Sequence, residues 1–131
     1  MKIIKNKIAL LTGASSGLGA VIAKALSFES VEIVGVARSE EGLQKTKIEI
    51  ENNGGKFHSV SFDLSDLSNI SELKNKVESI IGKIDILINN AGINKIDEIT
   101  KIKLKDWNKI INVNVTGAFI LTNLIAKKMK K

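Results

Sequence analysis

The chain has 131 residues, 44% of them hydrophobic and 26% charged, with a formal net charge of +6. That suffices for one domain with a real core and is too apolar for a disordered chain. The absence of Cys excludes a disulfide framework and thiolate metal or redox chemistry.

No apolar run approaches membrane-spanning length, and the start "MKIIKNKIALLTG" has no small-residue cleavage site. A soluble, cytoplasmic protein with no membrane partner is expected. The positive charge is local. Residues 101–131 hold eight Lys and a single acid, and the chain ends in "KKMKK". This reads as a solvated helix end, where Lys also favours the helix dipole. The alternative, a nucleic-acid patch, lacks interleaved aromatic residues, so no nucleic-acid partner is expected. Arg38 is the only Arg in a Lys-rich chain, which points to geometry that Lys does not supply.

Taken in chain order, "KIALLT" (7–12) reads as a buried strand stopped by Gly13. A helix is expected over 17–28, with Val21, Ile22, Ala25, Leu26 and Phe28 as apolar faces. "VEIVGVA" (31–37) is a second strand. A weakly patterned helix follows over 40–52 and ends at "NNGG". "KFHSVSFDL" (56–64) is a third strand, with His58, Val60 and Phe62 on one face. Ile70, Leu73, Val77 and Ile80 then recur at helical spacing, and Gly82 suits a C-cap. "IDILINN" (84–90) is a fourth strand. A polar loop runs from Gly92 to about Lys103, and a long helical stretch begins at Lys105. Strict alternation of apolar strands and amphipathic helices predicts an α/β fold: a doubly wound parallel sheet covered on both faces.

In such sheets ligands bind beyond the carboxyl ends of the strands. The unusual residues fall at those ends. The first strand leads into Thr12-Gly13 and a glycine turn. The second ends in Ala37-Arg38, the third in Asp63-Leu64, and the fourth in Asn89-Asn90-Ala91-Gly92. One such cluster is ordinary turn chemistry. Four at one edge are not explained by turns alone. In "TGASSGLG", Gly13, Gly17 and Gly19 let the backbone turn sharply and approach a pyrophosphate, and the following helix offers free N–H groups. Ser15 and Ser16 add hydroxyl donors.

"TGASSGLG", "NNAG" and "NVNVTGAF" together resemble the short-chain dehydrogenase/reductase family, over the whole chain from about residue 5. The resemblance implies a Rossmann-type sheet of four strands in the order 3-2-1-4 that binds NAD or NADP. Carried over, Gly13, Gly17 and Gly19 cradle the pyrophosphate, and Leu18 adds a backbone contact. Asp63 accepts from the adenine amino group beside the Leu64 backbone, and Asn90, Ala91 and Gly92 line the nicotinamide ribose. The family's acid at the end of the second strand grips the ribose 2′-hydroxyl. Here Ala37 stands in that place and Arg38 follows. A guanidinium holds a 2′-phosphate by a fork of charge-assisted bonds, so NADP(H) is favoured over NAD(H). The other reading of Arg38 is an exposed side chain paired with Glu40 or Glu41. Many family members carry a second basic residue in the glycine turn, where this chain has Ser16.

The remaining candidates have plainer readings: His58 as a structural residue in mid-strand, Trp107 as a packing anchor, and Asp97, Glu98 and Asp106 without acid–base pairing. The family's hydride transfer uses an Asn-Ser-Tyr-Lys set. The resemblance places the Asn at Asn114, where it would hold a relay water. The Ser and the Tyr-x-x-x-Lys would follow in a fifth strand and its helix, and this chain has no Tyr. Residues 1–131 are thus expected to be an NAD(P)-binding half-domain without its catalytic half and without turnover of its own. It most resembles 3-oxoacyl-[acyl-carrier-protein] reductases and nearby polyol dehydrogenases. Full-length relatives would take a small carbonyl or alcohol substrate and form homo-oligomers. The alternative is a non-catalytic NADP(H)-binding or regulatory domain.

Overall fold

The computed structural model describes residues 3–129; Lys130 and Lys131, the end of the basic tail, lie outside that range. Four parallel strands form one sheet in the order β3-β2-β1-β4. They are β1 (Ile8–Thr12), β2 (Glu32–Ala37), β3 (Phe57–Ser61) and β4 (Ile86–Ile88). Helices α1 (Gly17–Phe28), α2 (Glu40–Glu51) and α3 (Ile70–Ile81) connect them. After β4 come α4 (Leu104–Ile111), a π-helical turn (Asn112–Gly117) and α5 (Ala118–Met129). Short 3-10 turns stand at Leu67–Asn69 and Ile99–Lys101.

Strand periodicity divides the core between the two faces of the sheet. Leu10, Val34, Val36 and Val60 face α3 and α5, packing with Ile70, Leu73, Val77, Leu121 and Ile125. Ala9, Leu11, Ile33 and Phe57 face α1 and α2, packing with Ala23, Leu43 and Ile50. His58 shares the α3 face of its strand with Val60 and meets the Glu32 carboxylate at 2.8 Å, a structural role.

Among the described residues β4 pairs only with β1, through Ala9↔Ile86 to Leu11↔Ile88. It is therefore an edge, and it is shorter than the apolar run 84–90. Ile84 is buried without being in the strand. The Asp85 carboxylate instead accepts the Ile8 N–H at 3.0 Å and pins the start of the pair.

Two expectations change here. Trp107 is 52% exposed, so it is no packing anchor. The stripe of its helix that enters the core runs through Val113, Gly117, Leu121 and Ile125, and Trp107 lies off it. The second concerns membrane-spanning length. Joined through the π turn, Leu104–Met129 makes a continuous helix of 26 residues, long and apolar enough by length and composition to cross a membrane. Its buried stripe packs in the core against the sheet, and that is the role the fold gives it.

Candidate functional site

The carboxyl ends of all four strands open on one cleft of about 640 Å³. Of the twelve residues expected to contact a dinucleotide, eleven line it. From the turn come Gly13, Ser15, Ser16, Leu18 and Gly19, and from the ends of β2 and β3 come Arg38, Asp63 and Leu64. Asn90, Ala91 and Gly92 complete the set after β4. Gly17, the first residue of α1, is exposed and does not line the cleft.

The turn is built by close backbone contact. Gly13 adopts φ +71° and donates its N–H to the Val36 carbonyl at 2.7 Å, so the chain leaves β1 over the end of β2. Gly19 is buried in the first turn of α1. A β-carbon there would overlap the Gly13 carbonyl oxygen and come within 2.6 Å of Asn90 Nδ2. Only glycine lets α1 sit this close to both strand ends. Ser16 holds the N-cap position, yet its side chain makes no capping bond. The first N–H groups of a helix have no acceptor within it, and this N-terminus opens on the cleft through Ser16, Leu18 and Gly19.

Thr12, which sequence reasoning did not single out as a site residue, fixes the opposite wall. Its Oγ1 accepts the N–H groups of Asn90 at 3.1 Å and Ala91 at 3.0 Å. Asn90 Nδ2 in turn donates to the carbonyls of Thr12 at 3.2 Å and Gly13 at 3.3 Å. Asn89 turns elsewhere and donates to Thr122 Oγ1 on α5 at 2.8 Å.

Asp63 stands at the third strand end. Burial pushes its carboxyl up, but hydrogen bonds from the Ser65 N–H and hydroxyl and the charges of Lys109 and Arg38 outweigh that. The group sits below its ordinary value and is ionised at neutral pH. Both Ser65 bonds, at 2.9 and 2.7 Å, end on Oδ1, which leaves Oδ2 as an acceptor.

Arg38 is exposed on the cleft rim. The surface pair left open by the sequence is not formed: Glu41 pairs with Lys45 at 3.0 Å. Among the described residues the Arg38 guanidinium has no carboxylate within ion-pair distance.

Asn114 lies in the π turn, outside the cleft wall. Its Oδ1 accepts the Ile93 N–H at 2.8 Å and its Nδ2 donates to the Ile93 carbonyl at 2.8 Å. Ile93 and Val113, on either side of this clamp, both line the cleft. The side chain expected to hold a relay water thus spends both its polar ends on the loop after β4. Asp106 pairs with Lys95 at 2.6 Å, an exposed loop-to-helix contact. Among the described residues, no cluster of His, Asp or Glu is disposed to hold a metal.

A sheet of this order, a glycine turn on α1 and a polar cluster at each strand end define a dinucleotide-binding type of fold. The family is now plain. A family model for short chain dehydrogenases matches residues 7–131, and the chain belongs to that family. It is 40% identical over 129 residues to the ketoacyl reductase HetN of Nostoc sp., covering 98% of this chain and 45% of that protein. It is 34% identical over 127 residues to the 3-oxoacyl-[acyl-carrier-protein] reductase FabG of Escherichia coli, covering 97% and 51%. Among solved structures, a metagenomic short-chain oxidoreductase in complex with NADP superimposes with a TM-score of 0.91 at 32% identity, covering 96% of this chain and 57% of that one. L-sorbose reductase from Gluconobacter frateurii, complexed with NADPH and L-sorbose, gives 0.91 at 29%, covering 99% and 50%. The chain spans about half the length of the curated relatives it matches.

Proposed function

We propose that the cleft binds a nicotinamide dinucleotide, NADP(H) in preference to NAD(H). In this reading the chain is the cofactor-binding part of a short-chain oxidoreductase that interconverts a small carbonyl compound and an alcohol, similar to the 3-oxoacyl-[acyl-carrier-protein] reductases. The observation that carries this is the unpaired Arg38 guanidinium on the rim of a cleft that also gathers the glycine turn, Asp63 and Asn90. The residues fit the group. The absence of a β-carbon at Gly19 lets the start of α1 close against the Gly13 carbonyl and Asn90, and the N-terminus of α1 opens on the cleft with N–H donors and a positive dipole end for a pyrophosphate.

The bound nicotinamide supplies the hydride donor or acceptor. The rest falls to the protein. Gly13, Ser15, Ser16, Leu18 and Gly19 hold the pyrophosphate, Ser15 and Ser16 with hydroxyls as well as backbone, and Gly17, outside the cleft wall, serves the turn that carries them. Arg38 grips the 2′-phosphate, and an acid in its place would repel one. Asp63, ionised, accepts the adenine amino group on Oδ2, with the Leu64 backbone beside it. Asn90, Ala91 and Gly92 line the nicotinamide ribose. Asn114 acts as a positioning residue that holds Ile93 at the cleft. With no Tyr, residues 1–131 contain no phenolic proton donor, so they bind without turning over.

Titration calorimetry of the chain with NADP and with NAD tests the reading. Tighter binding of NADP is expected. No binding of either dinucleotide would overturn it.

A further inference from the structure

We propose that α2 is the support of the glycine turn, and that Thr46 and Gly42 on it are positioning residues that aim the backbone donors of Ser15 and Ser16 into the cleft. This rests on the reading of the cleft as a dinucleotide site. Among the described residues only two polar side chains are buried, Thr12 at 1% and Thr46 at 3% exposure. Thr12 is accounted for by the fourth strand end. Thr46 lies on α2, behind the glycine turn. Its hydroxyl has the Ala14 carbonyl at 3.0 Å and the carbonyl of Gly42, one turn earlier, at 3.2 Å. A hydroxyl has one proton, and without it the Ala14 carbonyl, on a residue 0% exposed, would lose its side-chain donor.

Gly42 gives the second contact. A β-carbon there would lie 2.7 Å from the Ser15 carbonyl oxygen and 2.9 Å from Ser15 Cβ. The carbonyls of both Ala14 and Ser15 therefore face α2. In a trans peptide the C=O and the following N–H point in opposite directions, and the described chain has no cis peptide bond. The N–H groups of Ser15 and Ser16 therefore point away from α2, toward the cleft that both residues line. Neither donates to another group of the described protein. Two successive N–H groups so directed form an anion-binding concavity, and α2 holds both peptide planes from behind. The helix is itself fixed next to the rim cation. Ser39, the residue after Arg38, caps it by accepting the Gly42 N–H on Oγ at 3.0 Å. One short span, Arg38 to Gly42, thus ties the rim to the turn.

The test uses the full chain and two probes: NADP, and adenosine 2′-monophosphate, which has no pyrophosphate and is followed by NMR titration. Thr46→Val keeps the shape and removes the donor. It is expected to weaken NADP on the order of tenfold and to leave adenosine 2′-monophosphate unchanged, with Thr46→Ser restoring the loss. Gly42→Ala replaces a poor helix former with the best one, so α2 gains helix propensity while its new methyl group presses on the turn. NADP affinity is expected to fall nevertheless. Should Thr46→Val fail the circular dichroism check of folding, Gly42→Ala decides. Unchanged NADP affinity in folded Thr46→Val or Gly42→Ala, or equal loss of both probes, overturns the role of α2 and leaves the cofactor reading standing. If the unmutated chain binds neither NADP nor NAD, the cofactor reading falls, and this inference with it.

Discussion

Thr12 Oγ1 accepts the backbone N–H of Asn90 across the ends of β1 and β4, at 3.1 Å and fully buried on the Thr12 side. One hydroxyl thereby holds the wall opposite the glycine turn. Thr12→Val leaves the N–H groups of Asn90 and Ala91 without their acceptor, at a cost of about 1–3 kcal/mol. Urea unfolding is expected to show that loss, with Thr12→Ser close to the original. Equal midpoints for all three chains would mean that the hydroxyl is dispensable.

Cofactor choice is the second prediction. Arg38→Ala should weaken NADP binding by about 1.5–3 kcal/mol, the range of hydrogen bonds to charged groups, and leave NAD binding unchanged. Parallel titrations with both dinucleotides check this. A loss shared equally by NAD would show that Arg38 contacts something common to the two.

The chain of 131 residues should give no measurable NADPH-dependent carbonyl reduction. A positioned general acid contributes about 10²–10⁴-fold, and the chain has no Tyr to serve as one. Loss of NADPH absorbance in the presence of a carbonyl substrate is the measurement. Reproducible turnover, lost on Asn114→Ala, would place acid chemistry elsewhere in these residues.

Asp63 makes stability depend on acid. Its carboxyl titrates below its ordinary value in the folded chain because the Ser65 bonds and nearby cations outweigh burial. A depressed folded value gives stability that is fully present above the unfolded carboxylate pKa, about 4. It is lost as pH falls through the folded value. Asp63→Asn should therefore lose less stability than the original chain below about pH 4, read from unfolding midpoints along a pH series. Identical acid slopes would remove Asp63 from the account.

Self-association is the fifth expectation. β4 is an edge with unpaired backbone groups on one side, and Leu104, Trp107, Val115 and Phe119 are exposed on the last helical stretch. Sedimentation velocity should show mass rising with concentration. A compact monomer at every concentration would mean that neither surface is sticky.

The fold was largely legible because strands and helices alternate regularly, and even the weakly patterned stretch 40–52 is bounded by strands on both sides. α1 falls where its pattern predicts, at Gly17–Phe28. The strands at the sheet edges were overread: 84–90 narrows to Ile86–Ile88 and 56–64 to Phe57–Ser61. Apolar composition extends past the point where a neighbouring strand supplies hydrogen bonds. At the site, Gly13, Asp63 and Asn90 could be placed because turn and strand-end residues are set by local chemistry. Thr12 and Thr46 could not. Their partners lie 78 and 32 residues away, and a buried Thr leaves no mark on periodicity. The π turn was equally silent, since the 3.6-residue pattern continues on both sides of it.

The bond between Asn90 and Thr12 also sets an order of events. As the chain is made, the residues of the glycine turn emerge long before their lock, because the two partners are 78 residues apart. Closing so long a loop is the slow, entropically costly part of building such a sheet. A dinucleotide bound as proposed would gain its full set of contacts only after residue 90 has reached residue 12, so it would bind finished sheets and, by mass action, draw the folding equilibrium toward them. On that reading, apparent affinity for the cofactor would also measure how much of the chain has closed.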